Sequence, residues 1–215
     1  MARLTALAAL TLATLTTPYA ASAQEDENAA YILQSGSGNM VAIEQSGSSN
    51  LADVETHGNN NEITAKQRAT RAEEWKNRFQ TRVFGNSNLV ELEQISEATN
   101  GLGNIATITQ NGSANTATVT QGVSALMGDP TGNNIAVINQ SGDSHWAGID
   151  QFGEDNSAIL NQSGTANRGD ILQNGAGLSA EMTQTGIGLE YTITQTGCLV
   201  PSGCGTIVVT QTGPN

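Results

Sequence analysis

An eleven-residue repeat constrains the fold of this chain more than any other feature of its sequence. Residues 104–121, NIATITQNGSANTATVTQ, contain one unit twice. A seven-residue part, Asn-x-Ala-x-Ile/Val-x-Gln, alternates with period two, which is typical of a half-buried β-strand. A four-residue part around a glycine is typical of a tight turn. Because one such strand cannot bury its apolar face alone, the repeat predicts a stack of strands.

The same frame extends over almost the whole chain after residue 27 and gives fourteen units. One unit closes with Thr56, and the others close with glutamine, at Gln34, Gln45, Gln67, Gln94, Gln110, Gln121, Gln140, Gln151, Gln162, Gln173, Gln184, Gln195 and Gln211. Ten units open with asparagine, at Asn28, Asn39, Asn50, Asn61, Asn88, Asn104, Asn115, Asn134, Asn156 and Asn167. The remaining four open with His145, Leu178, Leu189 and Gly205.

The parity of the repeat places its Asn, Ala, Ile and Gln positions on one face of each strand, pointing inward. Because alanine is too small to fill a wide core, two thin sheets must face each other closely. We therefore predict an all-β, two-strands-per-coil β-solenoid of about seven coils. Each inward amide then stacks on its copy in the next coil and forms a ladder. The candidate ladder residues are Gln34, Gln45, Gln94, Gln110, Asn115, Gln121, Gln140, Gln151, Asn156, Gln162, Asn167, Gln173, Gln184, Gln195 and Gln211.

The pattern Gln-x-Gly-x-x-Asn-x-Ala-x-x-x-Gln resembles the curlin repeat, found in the secreted subunits of curli, the amyloid fibres of bacterial biofilms. Residues 110–121 and 151–162 match it at each defining position, and residues 140–151 match it apart from His145. The resemblance implies a cross-β fibre subunit that polymerises with itself and with other curlin-like subunits. It also implies export by curli-type secretion machinery and a role in biofilm matrix and surface adhesion.

The first residues have the features of a secretory signal peptide over 1–23. Arg3 precedes an apolar stretch over 4–15, and Ala21-Ser22-Ala23 forms a small-residue cleavage site. We therefore expect passage through the periplasm and an extracellular location on the cell surface. Residues 24–27 form a short acidic segment, whereas the best-known curli subunits carry there a Gly-rich segment that the secretion pore recognises.

The charge of the chain excludes one class of partner. The net charge is −12, and cleavage after Ala23 removes one of the 8 basic residues while all 20 acidic residues stay, which leaves −13. Nucleic acid is therefore excluded, since its phosphates need a basic surface.

A basic insert divides the repeats. Repeats cover 28–67, the insert covers 68–83, and repeats with short insertions cover 84–215. Apolar residues in the insert recur at helical spacing, which favours a short amphipathic helix. It either tethers the subunit to a partner or membrane surface or packs as a loop on its own solenoid. The candidate tether residues are Arg71, Trp75, Lys76, Arg78, Phe79 and Arg82.

Counting the strands without this insert predicts which outward residues are neighbours and on which edge each insertion lies. Asp53 is expected to stack on Glu91, which brings like charges together on neighbouring strands. Glu55 is likewise expected to stack on Glu93. The three shorter insertions then lie on one edge of the solenoid and the longest insertion lies on the other.

Few residues suggest chemistry. Cys198 and Cys204 lie close together in the last insertion, and such a pair in an exported chain predicts a disulfide. We interpret His57 and His145, at turn or strand-start positions, as exposed polar residues. No Ser-His-acid constellation can be placed and metal-ligand spacings are missing, so we predict no catalytic residue, no cofactor, no metal and no enzyme.

Two other function classes fit parts of the pattern. A β-solenoid that binds ice or carbohydrate would use outward threonine pairs, at Thr107 and Thr109, Thr118 and Thr120, and Thr192 and Thr194. A β-helix enzyme acting on polysaccharide would need longer coils and a charged cluster in a cleft. The repeat favours the fibre subunit over both, and it leaves open whether this is a major subunit or a nucleator.

Overall fold

The computed structural model of the chain describes residues 3–9, 19–20, 28–47, 49–69, 77–96, 103–122, 132–197 and 205–214. Every regular element over these residues is a β-strand, and the strands form two sheets, here named A and B. A search of these residues finds no helix with the length and apolar character needed to span a membrane.

Sheet A contains every second strand of the stack. In spatial order its strands are β1 Arg3–Ala9, β4 Met40–Ser46, β6 Glu62–Ala69, β8 Leu89–Ser96, β10 Thr116–Gln121, β12 Trp146–Glu154, β14 Arg168–Ala176 and β16 Glu190–Thr196. All neighbours pair in parallel except β1, which is antiparallel to β4.

Sheet B contains the alternate strands. In spatial order they are β2 Tyr19–Ala20, β3 Ala29–Ser35, β5 Leu51–His57, β7 Arg78–Phe84, β9 Ile105–Asn111, β11 Ile135–Asp143, β13 Ser157–Thr165, β15 Ser179–Ile187 and β17 Thr206–Thr212. Only β2 is antiparallel to its neighbour, β3, among these described strands. From β3 to β17 the chain therefore alternates between the sheets, and each pair of strands makes one coil. The predicted all-β, two-strands-per-coil solenoid is confirmed.

Parallel pairing keeps the repeat in register from coil to coil. Gln121 on β10 lies opposite Gln94 on β8 and Gln151 on β12. Along β9, outward residues are exposed or half-buried, while the inward Ala106 and Ile108 are fully buried. The thin core between the sheets is thus filled by alanine and by branched aliphatic side chains, as the repeat predicts.

Glycine is required where successive turns stack on each other. Gly112 has φ +135, and a Cβ placed on it would lie 2.0 Å from the carbonyl oxygen of Gly142 in the next coil. Side chains rarely adopt this backbone region, and no side chain fits so short a gap. Gly188 also has positive φ, at +65, but a Cβ there would meet nothing within 4 Å.

The structure corrects the proposed insert at 68–83. Arg68 and Ala69 belong to β6, and Arg78–Phe84 is a full strand, β7, in sheet B. Phe79 and Val83 point inward and are fully buried, where other units carry Ala and Gln. These two replacements concealed a fifteenth repeat unit, and their spacing of four residues imitated helical periodicity. Residues 70–76 lie outside the described residues.

The additional strand changes which sheet each later unit joins. Asp53 therefore lies opposite Gln80, not Glu91, and the Glu55 carboxylate pairs with the Arg82 guanidinium at 3.3 Å. The predicted stacks of Asp53 on Glu91 and Glu55 on Glu93 are wrong.

The placement of the insertions is corrected as well. The joins that contain them follow β6, β8, β10 and β16, which are all sheet A strands. The long insertions therefore share one edge of the solenoid, and the expectation that the longest lies on the opposite edge is wrong. The opposite edge carries the short turns that lead from sheet B to sheet A.

Candidate functional site: the amide ladders of the core

The most regular feature of the core is a ladder of glutamine amides along sheet A. Each Nε2, except that of the last glutamine, donates a hydrogen bond to Oε1 of the glutamine in the next coil, at 2.8–2.9 Å. The ladder consists of Gln45, Gln67, Gln94, Gln121, Gln151, Gln173 and Gln195. All its donors point toward the C-terminal coils, so the ladder has one direction.

The same amides also join the two sheets. Gln121 Nε2 donates to the Ile105 and Asn134 carbonyl oxygens, both at 3.0 Å, as well as to Gln151 Oε1 at 2.9 Å. Ile105 begins β9 and Asn134 precedes β11, so both carbonyls belong to the sheet B side of the core. Because unpaired buried amides are costly, these contacts make the register between the sheets specific.

The corresponding ladder in sheet B is interrupted. It is continuous through Gln110, Gln140, Gln162, Gln184 and Gln211, with links of 2.8–3.0 Å. Toward the N-terminal end, Thr56 and Val83 occupy the glutamine position of β5 and β7. Buried atoms within and next to this gap have no hydrogen-bond partner among the described residues: Gln34 Nε2, Thr56 Oγ1, Thr81 Oγ1 and Gln110 Oε1.

Asparagines form a second set of ladders at the start of each strand. Asn28 Oδ1 accepts the backbone N–H of Asn50 in the next coil at 3.0 Å, and Asn50 Nδ2 donates to the Ser46 carbonyl at 3.0 Å. The buried Asn77, which the sequence frame missed, occupies the equivalent place before β7. Leu178 and Leu189 still donate their backbone N–H groups to the preceding asparagines but offer no amide to the next coil.

His145 replaces asparagine in this ladder, and the interpretation that it is an exposed residue is wrong. It is 1% exposed, and its backbone N–H donates to Asn115 Oδ1 at 3.0 Å. Its Nδ1 lies 3.2 Å from the Asn167 N–H, and its Nε2 lies 3.2 Å from the Ser141 carbonyl oxygen. These partners require a neutral ring with the proton on Nε2, and burial lowers the pKa of His145.

The remaining candidate residues are placed as follows. Arg78 and Arg82 lie on the outer surface of β7, whereas Phe79 is fully buried, so these residues do not form a separate tether. Arg71, Trp75, Lys76, Cys198 and Cys204 lie outside the described residues, and their roles stay predictions.

The threonine pairs do not form one array. Thr107 and Thr109 lie on sheet B. The other two pairs lie on sheet A, where β12 and β14 with Asp150 and Asp170 separate them.

Among the described residues, no group of three or more His, Cys, Asp or Glu side chains is arranged to hold a metal ion. His57 pairs with Glu55 at 2.8 Å and stacks on Phe84, with ring centroids 5.1 Å apart. This contact is a local feature of the outer surface of sheet B.

One buried acceptor at the N-terminal end of the sheet A ladder has no hydrogen-bond partner among the described residues. Gln45 is fully buried, and its Nε2 donates to Ala29 and Gln67, but its Oε1 accepts nothing from the described residues. At the other end, Gln195 Nε2 donates only to the Ser179 carbonyl oxygen, at 2.9 Å, among the described residues. An acceptor at one end and a donor at the other are complementary.

The fold and its core define a class: a parallel β-solenoid with two strands per coil, held in register by amide ladders. The sequence pattern of the curlin associated repeat matches residues 26–47, 39–68, 132–164 and 164–197, which together span half of the chain. The chain belongs to the curlin family, whose members are self-polymerising, extracellular fibre subunits. Searches of curated proteins and of solved structures return no match.

Proposed function

We propose that this chain is a secreted subunit of curli-like functional amyloid fibres and that it polymerises head to tail along its solenoid axis. The observation that carries the proposal is the pair of complementary ladder ends. When the C-terminal coil of one copy meets the N-terminal coil of another, a donor from Gln195 or Gln211 satisfies Gln45 Oε1. The backbone edges of the terminal strands pair in the same step.

Signal-peptide removal controls this step. Strands β1 and β2 lie within residues 1–23 and cover β4 and β3 in antiparallel pairing. Cleavage after Ala23 removes both strands and frees the edges that continue the parallel stack. The precursor therefore has one blocked end, and the mature chain has two open ends.

In the cell, we propose that fibres of this subunit form part of the biofilm matrix. Export through the periplasm and curli-type secretion machinery delivers the mature chain to the surface, where fibres support adhesion. The net charge of −13 after cleavage keeps single chains apart before assembly and makes assembly sensitive to salt.

Purified residues 24–215 test the proposal. We expect thioflavin-positive fibres with a meridional fibre-diffraction reflection near 4.8 Å, the spacing of hydrogen-bonded strands. A chain that stays monomeric, or fibres that lack this reflection, would overturn the proposal.

The uncleaved chain supplies a matched control. Residues 1–215 should not form fibres alone, because β1 and β2 block one end. Added in small amounts to growing fibres of residues 24–215, the uncleaved chain should stop growth at one end by adding through its open C-terminal coil. Growth of the uncleaved chain at the rate of the cleaved chain would show that β1 and β2 do not block the N-terminal coil.

A further inference from the structure

The outer surface of sheet B from β9 to β17 is almost free of charge. Over the first seven residues of these five strands, the outward side chains are Thr, Ser, Asn, Ile and Val, with Glu181 as the one charged exception. Asp143, at the end of β11, accepts the Ser113 N–H at 2.7 Å in the turn and lies outside this area. We name this surface the neutral face.

The opposite surface of the solenoid is charged. On sheet A, Glu91 and Glu93 point outward from β8, and Asp150 and Asp170 point outward from β12 and β14. Burial and the neighbouring Asp150 raise the pKa of the Asp170 carboxyl, which reflects this crowding of acid groups. In a chain of net charge −12, contact through sheet A brings acidic groups together, whereas contact through the neutral face does not.

The neutral face is built from short side chains in straight rows. Asn139 Nδ2 donates to Asn161 Oδ1 at 2.9 Å, and Ser163 Oγ lies 3.3 Å from Thr185 Oγ1 in the next strand. Apolar residues interrupt these rows, and Val208 is 62% exposed. Rows of this kind interdigitate with an identical surface, as the side chains of paired cross-β sheets do.

The area of the neutral face fits a contact that is weak between two subunits and becomes stable when fibres align many subunits. Five strands spaced about 4.8 Å apart, each seven residues long at about 3.3 Å per residue, span about 500 Å². Two such faces bury about 1,000 Å² in total, which is near the lower limit for a specific interface. A single pair of subunits is therefore weakly held, but fibres align many such pairs and bind through their combined avidity.

We infer that the neutral face joins copies of this chain side by side in neighbouring fibres. The inference rests on the proposed fibre function and adds the surface that bundles the fibres. The rows of one face pack into the grooves of the other, and water leaves an area where little charge must be desolvated.

Asn161→Asp tests the neutral face with a nearly isosteric change. The aspartate keeps the oxygen that accepts from Asn139 and adds a negative charge to both contacting faces. Thr194→Asp is the matched control, because it adds the same charge at an exposed position of β16 on sheet A. Thioflavin fluorescence measures polymerisation, and electron microscopy measures the number of filaments in each bundle.

We expect wild type and Thr194→Asp to form bundles, and Asn161→Asp to form single filaments with the same thioflavin yield. Mixing Asn161→Asp fibres with Asn161→Lys fibres should restore bundles, because the opposed charges then attract. Single filaments in the wild type, or bundles of equal size in Asn161→Asp and Thr194→Asp, would overturn the lateral contact while leaving the fibre function intact.

Two other outcomes would also overturn the lateral contact. Failure of the wild type to form fibres would overturn the fibre function and the lateral contact together. If cellulose powder retains single wild-type filaments but not Asn161→Asp filaments, the neutral face is a carbohydrate surface and the lateral contact is wrong.

Discussion

Replacing Gln121 with leucine tests the ladder at a place where every amide atom has a partner. Gln121 is fully buried, donates to Ile105, Asn134 and Gln151, and accepts from Gln94 Nε2 at 2.8 Å. Leucine has a similar volume and fills the same space, so the change removes hydrogen bonds and leaves no large cavity.

The expected free-energy cost comes from the polar atoms that lose a hydrogen-bond partner. Gln151 Oε1, on a fully buried side chain, loses the only side-chain donor that reaches it among the described residues. Gln94 Nε2 loses one acceptor but keeps the Arg78 and Asn104 carbonyl oxygens, each at 3.2 Å. One unpaired buried polar atom costs about 1–3 kcal/mol, and we expect about 2 kcal/mol in total. This corresponds to a change of about 30-fold in an equilibrium constant.

The soluble subunit left in equilibrium with fibres measures this cost directly. We expect its concentration to rise about 30-fold for Gln121→Leu of residues 24–215, after fibres are removed by centrifugation. Gln80→Leu is the matched control, because Gln80 points outward and, within the described part of the chain, makes only a long contact, 3.4 Å, to Asp53. Equal concentrations for the two variants would refute the argument that the ladder amides hold the core together.

Three further changes address other parts of the core. Val83→Gln should stabilise the fibre by about 1 kcal/mol and so lower the soluble concentration about fivefold, since it supplies a donor for Gln110 Oε1, and no decrease would contradict this account of the gap. Gly112→Ala should abolish fibre formation because its Cβ meets a stacked carbonyl, whereas Gly188→Ala should be tolerated; equal effects would contradict the stacking argument. Because burial lowers the pKa of His145, the neutral ring contributes fully to fibre stability above the ordinary pKa near 6.5, and this contribution declines as the pH falls below that value. Fibre solubility measured over this pH range should therefore depend less on pH in His145→Asn than in the wild type.

Much of the fold follows from local rules that are visible in the chain. Period-two alternation fixes which side chains of β10 point inward, and the glycine before each strand fixes the turn. Asn115 and Gln121 stand six residues apart, so both lie on the inward face of one strand, and their buried positions agree with this parity.

The repeat unit that the sequence frame missed, residues 77–83, shows the limit of these local rules. Asn77, Phe79 and Val83 keep the spacing of the repeat, but Phe and Val replace the two residue types that identify it. Spacing of four residues satisfies a helix as well as two steps of a strand, so periodicity alone does not separate them. Pairing with β5 and β9 makes this segment a strand, because these neighbours offer parallel edges and an inward space that Phe79 fills.

The sequence by itself determined the repeat, the inward amides and the two-sheet solenoid, because each depends on residues close together in the chain. Only the tertiary structure decided which outward residues become neighbours, since one additional strand moves every later unit to the opposite sheet. That shift pairs Glu55 with Arg82. The alternation between sheets gathers the uncharged strands on one face, because contacts between coils join residues that lie about two repeats apart in sequence.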